Sequence, residues 1–263
     1  MNKDQYQSMY ELEDLHWWFC GKRNFIKTLL QQYFPPEKTA VKNKEYLNKS
    51  DSNIKQPLLI DIGCGTGKTM EEFSLLARII GCDLHAEAIR FCKKRGDFLL
   101  IQASAESLPV CKNSFDIVFI IGVLYHQDIQ DDQKVLKEAF RILKPGGVLI
   151  VIEPAFNLLY SQHDRAGHTR YRYNKRKIKE KLINAGFSIK RVGYFNFFLF
   201  PIAILVRIVR IIVPLNNSQS DIRHTPKLLN NILKSILFFE AKRLETKKFP
   251  FGLSVFAVSR KPG

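Results

Sequence analysis

The stretch LLIDIGCGTGKT, residues 58–69, decides the fold. It joins an apolar run that ends on Asp61 to three glycines at alternate positions, Gly63, Gly65 and Gly67. Glycines that follow a buried strand let the backbone turn sharply and approach a ligand without a clash from Cβ. A helix that follows such a turn offers free N–H groups at its first residues. The stretch therefore predicts a cofactor loop at the carboxyl end of a strand.

Strand and helix patterns alternate around this loop. Apolar runs predict strands at LLIDI, ARIIGCD, FLLIQA, FDIVFIIGV, GGVLIVIEP, FSIKRVGYF and LSVFAVSR. Helical patterns cover residues 68–77, 85–95, 131–143 and 175–185. The strands are apolar throughout, which is typical of a parallel sheet with helices on both faces. The fold class is therefore α/β.

The chain divides into three parts on this basis. Residues 1–36 form an N-terminal helical cap, with one helix over 5–34 that Pro35 ends. Residues 37–56 are polar and predict a surface loop. Residues 57–263 form the main domain, in which residues 195–245 are a helical insertion before the last strand.

Composition excludes several classes of protein. Of 263 residues, 46% are hydrophobic, which excludes a disordered chain. The N-terminus is polar and acidic, which predicts no secretory signal and a cytoplasmic location. The five cysteines lack paired zinc-ligand spacing, so we expect no metal site. The net charge of +16 leaves nucleic acid, an anionic membrane, an anionic substrate or a basic solvated surface open.

The spacing of the glycines narrows the choice of cofactor. A dinucleotide fingerprint requires G-x-G-x-x-G or G-x-G-x-x-A, and its third small residue would fall on Lys68. The Asp61 carboxylate would repel a pyrophosphate, whereas it could bind an ammonium group. Asp83, at the end of the second strand, suits the hydroxyls of a ribose. These features favour a ligand with an ammonium and a sulfonium over NAD.

Five motifs in order carry a family resemblance. DIGCGTG, the strand that ends at Asp83, AESLPV, SFDIVF and RILKPGG resemble the class I S-adenosylmethionine (SAM)-dependent methyltransferases. The resemblance implies a Rossmann-like sheet of seven strands with a reversed last strand. It also implies SAM as cofactor, with S-adenosylhomocysteine as product. In such a sheet LSVFAVSR would pair with FSIKRVGYF.

The resemblance implies a set of cofactor contacts. They are Asp61, Gly63, Cys64, Gly65, Gly67, Asp83, Leu84, Ser104, Ala105, Glu106 and Ile121. One position departs from the family pattern, because Ser104 stands where an acid often accepts a hydrogen bond from the adenine amino group. A hydroxyl accepts more weakly than a charged oxygen, so we expect a weaker adenine contact.

The flanks resemble a bacterial subgroup of these enzymes that is often found with glycan or secondary-metabolite genes. The matching segments are HWWF from residue 16, HDRAGHTRYRY over 163–173 and PFGLS over 250–254. The candidate substrate contacts are Trp17 and Trp18, as part of a lid over the cleft, together with Arg165, Arg170 and Tyr171. Arg165, Arg170 and Arg172 could clamp a carboxylate or phosphate of the acceptor. Two alternatives stay open, since the tryptophans could pack on the sheet and the arginines could be solvated.

Methyl transfer to a hydroxyl requires removal of a proton as well as alignment of the acceptor. Histidine suits this role because its pKa lies near neutrality. His163 and His168, in the loop after the fifth strand, are the first candidates for the base, followed by His126. Each of these histidines could instead be structural.

The helical insertion contains an apolar run over residues 194–214 of nearly membrane-spanning length. Pro201, Arg207 and Arg210 interrupt it, so we expect no spanning helix. The run could roof an apolar pocket, or it could lie on an anionic membrane with its arginines at the headgroups. The second possibility predicts peripheral contact with the inner membrane face.

Taken as a whole, the sequence predicts a SAM-dependent methyltransferase for a small-molecule, glycan-linked or lipid-linked acceptor, with oxygen as the favoured atom. RNA methylation is an alternative prompted by the charge. It is disfavoured because the sequence has no separate RNA-binding module and its aromatic residues are not interleaved with basic ones. A non-catalytic SAM-fold binding protein is the other alternative.

Overall fold

The computed structural model describes residues 3–34, 56–160, 164, 168–212 and 225–263. The helices in these ranges are α1 Lys3–Leu12, α2 Trp17–Tyr33, α3 Lys68–Phe73, α4 Ala86–Arg95, α5 Asp132–Ile142, α6 Lys175–Asn184, α7 Phe200–Ile212 and α8 Lys227–Leu244. The strands are β1 Leu58–Ile62, β2 Arg78–Asp83, β3 Leu99–Gln102, β4 Phe115–Ile121, β5 Leu143–Pro154, β6 Ser188–Phe195 and β7 Ser254–Arg260.

The seven strands form one sheet in the order β3-β2-β1-β4-β5-β7-β6. Strands β1 to β5 pair in parallel, as their apolar character predicts. Strand β7 runs antiparallel to both of its neighbours, β5 and β6. The strand order reverses between β1 and β4, so the carboxyl ends of these strands border the crevice where α/β sheets bind ligands. The predicted α/β class and the reversed last strand are confirmed.

Helices cover both faces of the sheet, which explains the continuous apolar strands. One face packs against α5 and α6 through residues such as Val135 and Ile178. The other face packs against α2, α3 and α8 through residues such as Phe25 and Leu237. Helix α8 of the insertion therefore completes the core on the side of the N-terminal cap.

The N-terminal cap differs from the single helix expected over residues 5–34. The chain forms two helices, and the break lies between Leu12 and Trp17. The His16 side chain caps α2, because its Nδ1 accepts a hydrogen bond from the backbone N–H of Trp18 at 3.3 Å. The break brings the acidic residues 13 and 14 close to the glycine loop. Local helix propensity cannot predict this contact, because it joins segments that are far apart in the sequence.

Two further boundaries differ from the sequence pattern. Helix α3 ends at Phe73 instead of residue 77, and the Ser74 hydroxyl donates a hydrogen bond to the Glu71 carbonyl oxygen at 2.8 Å. Pro201, expected to interrupt the apolar run, instead lies in the first turn of α7, where a missing N–H costs nothing.

Some sequence predictions fall outside the described residues. They are most of the polar loop over 37–56, His163 and Arg165, and the segment 213–224. Within the described part of the chain, none of the helices is both long enough and apolar enough to cross a membrane.

Candidate functional site

The glycine loop follows β1 and adopts a conformation that other residues rarely take. Gly63, Gly65 and Gly67 have φ angles of +74°, +56° and +85°. The Gly63 N–H donates to the Cys82 carbonyl oxygen at 2.7 Å, which ties the loop to the end of β2. A Cβ on Gly63 would lie 2.4 Å from Cγ2 of Val123, which follows β4. The close approach of these two loops therefore also requires glycine at position 63.

Asp83 connects the glycine loop to the start of α4. Its Oδ2 accepts a hydrogen bond from the Gly65 N–H at 3.0 Å, and its Oδ1 accepts one from the His85 N–H at 3.0 Å. Burial raises the pKa of this carboxyl, while the two backbone donors lower it. Each carboxylate oxygen keeps a lone pair that can accept a hydrogen bond from a hydroxyl of a ligand.

A cavity of about 1230 Å³ lies over this loop. The glycine loop and the strand ends line its floor, α1 and the start of α2 line its roof, and Pro226 and Leu229 of the insertion line one side. Sites for one small ligand commonly enclose about 300–1,000 Å³. The cavity therefore has room for two small molecules side by side.

Buried ionisable groups face this cavity. Burial raises the pKa of Asp61 to about 7 and the pKa of Glu153 to about 8. The Glu153 carboxylate also accepts hydrogen bonds from the N–H groups of Val123 and Leu124, at 3.1 Å and 3.0 Å. Burial lowers the pKa of Lys22, and the nearby acids Glu13, Asp61 and Glu153 oppose that shift. Lys22 thus brings an ammonium group from the roof toward the acids of the floor.

The other cations of the cavity lining are committed to protein partners. Arg23 donates to the Glu13 carbonyl oxygen at 2.9 Å and pairs with the Glu72 carboxylate. Arg172 forms a bidentate pair with Asp164, at 2.8 Å and 2.9 Å. Lys22 has no hydrogen bond or ion pair with any described residue. Among the described lysines and arginines that line the cavity, Lys22 is the one that can pair with an anionic ligand group.

Arg95 fastens the cap to the glycine loop. Its guanidinium donates to Glu13 Oε1 at 2.8 Å, to Asp14 Oδ1 at 2.9 Å and to the Thr66 carbonyl oxygen at 3.1 Å. The Thr66 hydroxyl also donates to the Glu13 carboxylate. These bonds hold Glu13 and Asp14, which lie between α1 and α2, close to Thr66 of the glycine loop.

The start of α2 is also joined to the insertion. The Trp17 N–H donates to Oδ1 of Asn230 in α8 at 2.8 Å, and Asn230 Nδ2 donates to the Leu15 carbonyl oxygen at 2.9 Å. The Trp18 ring stacks on Phe195 at the end of β6, with 6.3 Å between ring centroids. Both tryptophans line the cavity, and both also pack against the hydrophobic core on the α2 side of the sheet. A position in the cleft and packing on the sheet, the two alternatives raised by the sequence, therefore occur together.

Asn196 follows β6 and lines the cavity beyond the tryptophans. It is buried, its φ angle is +65°, and its side-chain Oδ1 accepts no hydrogen bond from any described residue. The buried carboxylate of Glu240 holds this turn, because it accepts hydrogen bonds from the N–H groups of Phe197 and Phe198. An unpaired buried oxygen costs about 1–3 kcal/mol, which a donor on a ligand would offset.

Two histidines flank one carboxylate near the cofactor loop. His126 Nδ1 and His85 Nε2 lie 3.2 Å and 2.8 Å from Oδ2 of Asp128. Burial lowers the pKa of His126 to about 4, so its ring is neutral at neutral pH. His168 lies away from the cavity lining, with Nδ1 2.9 Å from the Gln127 amide nitrogen.

Most of the cofactor contacts expected from sequence lie together on the floor of the cavity. These are Asp61, Gly63, Cys64, Gly65, Asp83, Leu84, Ser104, Ala105 and Ile121. Gly67 instead begins α3, where a Cβ would lie 2.7 Å from Cys92 Sγ. The Glu106 carboxylate lies outside the lining and accepts a hydrogen bond from the Asp131 N–H at 2.7 Å.

The substrate contacts expected in the loop after β5 have other partners. Arg170 donates to the Ile129 carbonyl oxygen at 2.7 Å, and the Tyr171 hydroxyl bonds the Asp132 carboxylate. Both residues lie away from the cavity lining, and Arg165 lies outside the described residues. Of the described arginines in this loop, Arg172, two positions after Arg170, lines the cavity.

Comparisons with known proteins agree with this geometry. A methyltransferase domain family matches residues 60–151, about a third of the chain. A ubiquinone/menaquinone biosynthesis C-methyltransferase of Cronobacter sakazakii is 31% identical over 120 residues, which cover 40% of this chain and 47% of that protein. A probable tRNA methyltransferase 9B of Bos taurus is 34% identical over 95 residues, which cover 36% of this chain and 20% of that protein. The matched region thus spans less than half of each relative.

A solved structure from Thermotoga maritima, described as a SAM-dependent methyltransferase and possible histamine N-methyltransferase, has the same fold. Its TM-score is 0.57 at 17% identity, over 98% of this chain and 95% of that one. The chain carries the class I SAM-dependent methyltransferase domain. SAM is the cofactor of this domain, and the domain match lies on the strands that surround the glycine loop.

The residues of this methyltransferase domain fit SAM. A Cβ on Gly65 would project into the space between the loop and the cap, where the nearest atom of a described residue is Met9 Cε, at 3.0 Å. The Asp83 carboxylate suits the ribose hydroxyls. Lys22 and Asp61 carry opposite charges, as do the carboxylate and the ammonium of the methionyl group of SAM.

Proposed function

We propose that this chain transfers the methyl group of SAM to a small-molecule, glycan-linked or lipid-linked acceptor, with oxygen as the atom methylated. The observation that carries the proposal is the large cavity over the glycine loop, which has room for an acceptor beside the cofactor. When bound, SAM supplies an electrophilic methyl group on a sulfonium. The remaining tasks of binding, alignment and proton removal belong to residues of this chain.

At the cofactor side, the proposal assigns each charged group a partner. Lys22 pairs with the SAM carboxylate, because the other described cations of the lining are bound to Glu72, Glu13 or Asp164. Asp61 pairs with the SAM ammonium, and Asp83 accepts hydrogen bonds from the ribose hydroxyls. The cap, fastened by Arg95, excludes water from these contacts and so strengthens them.

At the acceptor side, His126 is the base in this proposal. Its low pKa leaves the ring neutral, so one of its two ring nitrogens is unprotonated and can accept a proton. Nδ1 lies 3.2 Å from the Asp128 carboxylate and 3.3 Å from the Asp128 backbone nitrogen, so Asp128 orients the ring. His168 and His163 remain proposals from sequence, but His126 is the described one of the three that lines the cavity. Trp17, Trp18 and Asn196 border the space left for the acceptor.

RNA methylation is the second candidate. It is favoured by the net charge of +16 and by the similarity of residues in this domain to the probable tRNA methyltransferase 9B of Bos taurus. A folded RNA is far larger than the cavity, so its target base would have to leave the helix stack to enter it.

The test is transfer of tritium from methyl-labelled SAM to three separate acceptor pools: bacterial lipid extract, soluble small molecules with glycans, and bulk tRNA. The proposal expects label in one of the first two pools and none in tRNA. Label confined to tRNA would establish the second candidate, and SAM binding without transfer to any pool would favour a non-catalytic protein.

The His126→Ala variant tests the proposed base. We expect turnover to fall by about 10²–10⁴-fold while SAM binding stays unchanged, as is common for loss of a general base. His168→Ala is the matched control, since His168 lies 6.0 Å from His126 between ring centroids but outside the lining. Full activity of His126→Ala would exclude it as the base.

A further inference from the structure

Helix α8 of the insertion presents apolar residues to solvent as well as to the core. Leu228, Ile232, Ser235 and Phe239 follow the spacing i, i+4, i+7 and i+11, which places them on one face. Three of these four are large and apolar, with exposed fractions of 76% for Leu228, 49% for Ile232 and 50% for Phe239. The buried residues Leu237, Ala241 and Leu244 occupy the opposite face. A surface helix with one apolar face for its core normally has a polar outward face.

The ionisable residues exposed on α8 are all basic. Lys227, Lys242 and Arg243 are exposed, and the Arg243 guanidinium lies 5.0 Å from the centroid of the Phe239 ring. The one acid in the helix, Glu240, is buried and bound to the backbone of residues 197 and 198. The outward face therefore combines apolar and cationic groups without a carboxylate, which is typical of a helix that lies in an anionic membrane interface.

The same surface continues onto the start of α7. Phe198 contacts Phe239, with 5.9 Å between ring centroids. Ile202 and Leu205 of α7 are exposed, with exposed fractions of 57% and 62%. We call Leu228, Ile232 and Phe239, together with Phe198, the insertion face.

The insertion face borders the cavity. Leu229 and Pro226, at the start of α8, line the cavity, and Leu229 is itself half exposed beside Leu228. A group that rests on the insertion face thus lies next to the side of the cavity where the tryptophans of the cap are located.

We propose that the insertion face docks on an anionic lipid bilayer, so that the cavity receives its acceptor from the membrane. Docking itself is independent of catalysis, whereas delivery of the acceptor rests on the proposed methyl transfer. The lipid surface is the occupant that the charge favours, because apolar side chains would enter the acyl boundary while Lys227, Lys242 and Arg243 meet anionic headgroups. The net charge of +16 adds a long-range attraction to such a surface.

The test is flotation of the full chain with phosphatidylcholine vesicles, with and without phosphatidylglycerol. We expect the wild-type protein to float with the anionic vesicles, and less so at high salt, because salt screens the headgroup attraction. Leu228→Ser should lower the bound-to-free ratio about tenfold. The matched control is Leu75→Ser, since Leu75 has nearly the same exposed fraction, 79%, and lies outside the insertion face.

Calorimetric titration of each variant with SAM separates docking from folding and from the proposed function. Leu228→Ser should bind SAM as the wild-type protein does, which excludes a folding defect as the cause of lost flotation. Failure to bind SAM with intact flotation would count against the proposed function alone. The docking proposal is overturned if the wild-type protein does not float with anionic vesicles, or if Leu228→Ser floats equally well. It is also overturned if the face instead forms a dimer that Leu228→Ser abolishes.

Discussion

Replacing Gly65 with alanine separates the cofactor role of the loop from its backbone strain. Gly65 has a φ angle of +56°, a region that costs an L-residue about 1–2 kcal/mol. For a chain of this length that cost corresponds to a melting temperature lower by about 2–8 °C. The new Cβ would also lie 3.0 Å from Met9 Cε, in the space between the loop and the cap where we propose that the cofactor binds. We therefore expect the SAM dissociation constant to rise at least about tenfold, or about 1.4 kcal/mol.

Gly146→Ala is the matched control for strain. Gly146 has a φ angle of +77°, and a Cβ there would meet no atom of a described residue within 4 Å. Both variants should lose similar thermal stability in differential scanning calorimetry, whereas only Gly65→Ala should lose SAM affinity in a calorimetric titration. Equal SAM affinities in the two folded variants would refute the assignment of this loop as the cofactor surface.

Two further predictions concern the charges at the cofactor. Lys22→Met should weaken SAM binding about tenfold or more, because the SAM carboxylate would lose its proposed partner. The matched control is Lys27→Met, since Lys27 is an exposed lysine of the same helix, and it should leave SAM binding unchanged. Equal dissociation constants for the two variants would contradict the pairing. The raised pKa of Asp61, about 7, means that this carboxyl is neutral below pH 7 and charged above it. Because we propose that the charged form pairs with the SAM ammonium, affinity should fall about tenfold from pH 8 to pH 6. Titrations that show no such fall would exclude Asp61 as the partner.

The sheet could be predicted from sequence because its signals are local. Each parallel strand is an apolar run of the right length, and the glycine loop follows the first of them directly. The reversed β7 followed from the family resemblance, not from its own pattern. The sequence pattern placed the end of α3 too late, at residue 77. The helix ends at Phe73, where the Ser74 hydroxyl bonds the Glu71 carbonyl oxygen.

The parts of the site that the sequence did not reveal depend on contacts between distant segments. Lys22 looks like any lysine on an amphipathic helix until the break before Trp17 turns α2 over the cavity. Asn196 is one polar residue in an aromatic run, and its position follows from Glu240, which lies in α8. Glu153 lies one residue before the end of β5, and its acidic type near a strand end is the one signal that the sequence offered.

The loop after β5 shows the opposite case. Its histidines and arginines resemble catalytic and binding residues, but Arg170 and Tyr171 bond to other protein groups in the structure. Charge and residue type are visible in a sequence, whereas the partner that already satisfies a side chain is not.

The most direct test of the central claim is calorimetric titration of the wild-type protein with SAM and, separately, with NAD. We expect saturable binding of one SAM per chain and no heat from NAD. A folded sample that binds NAD, or that binds neither ligand, would contradict the assignment of the glycine loop, Asp61 and Asp83 as a SAM site.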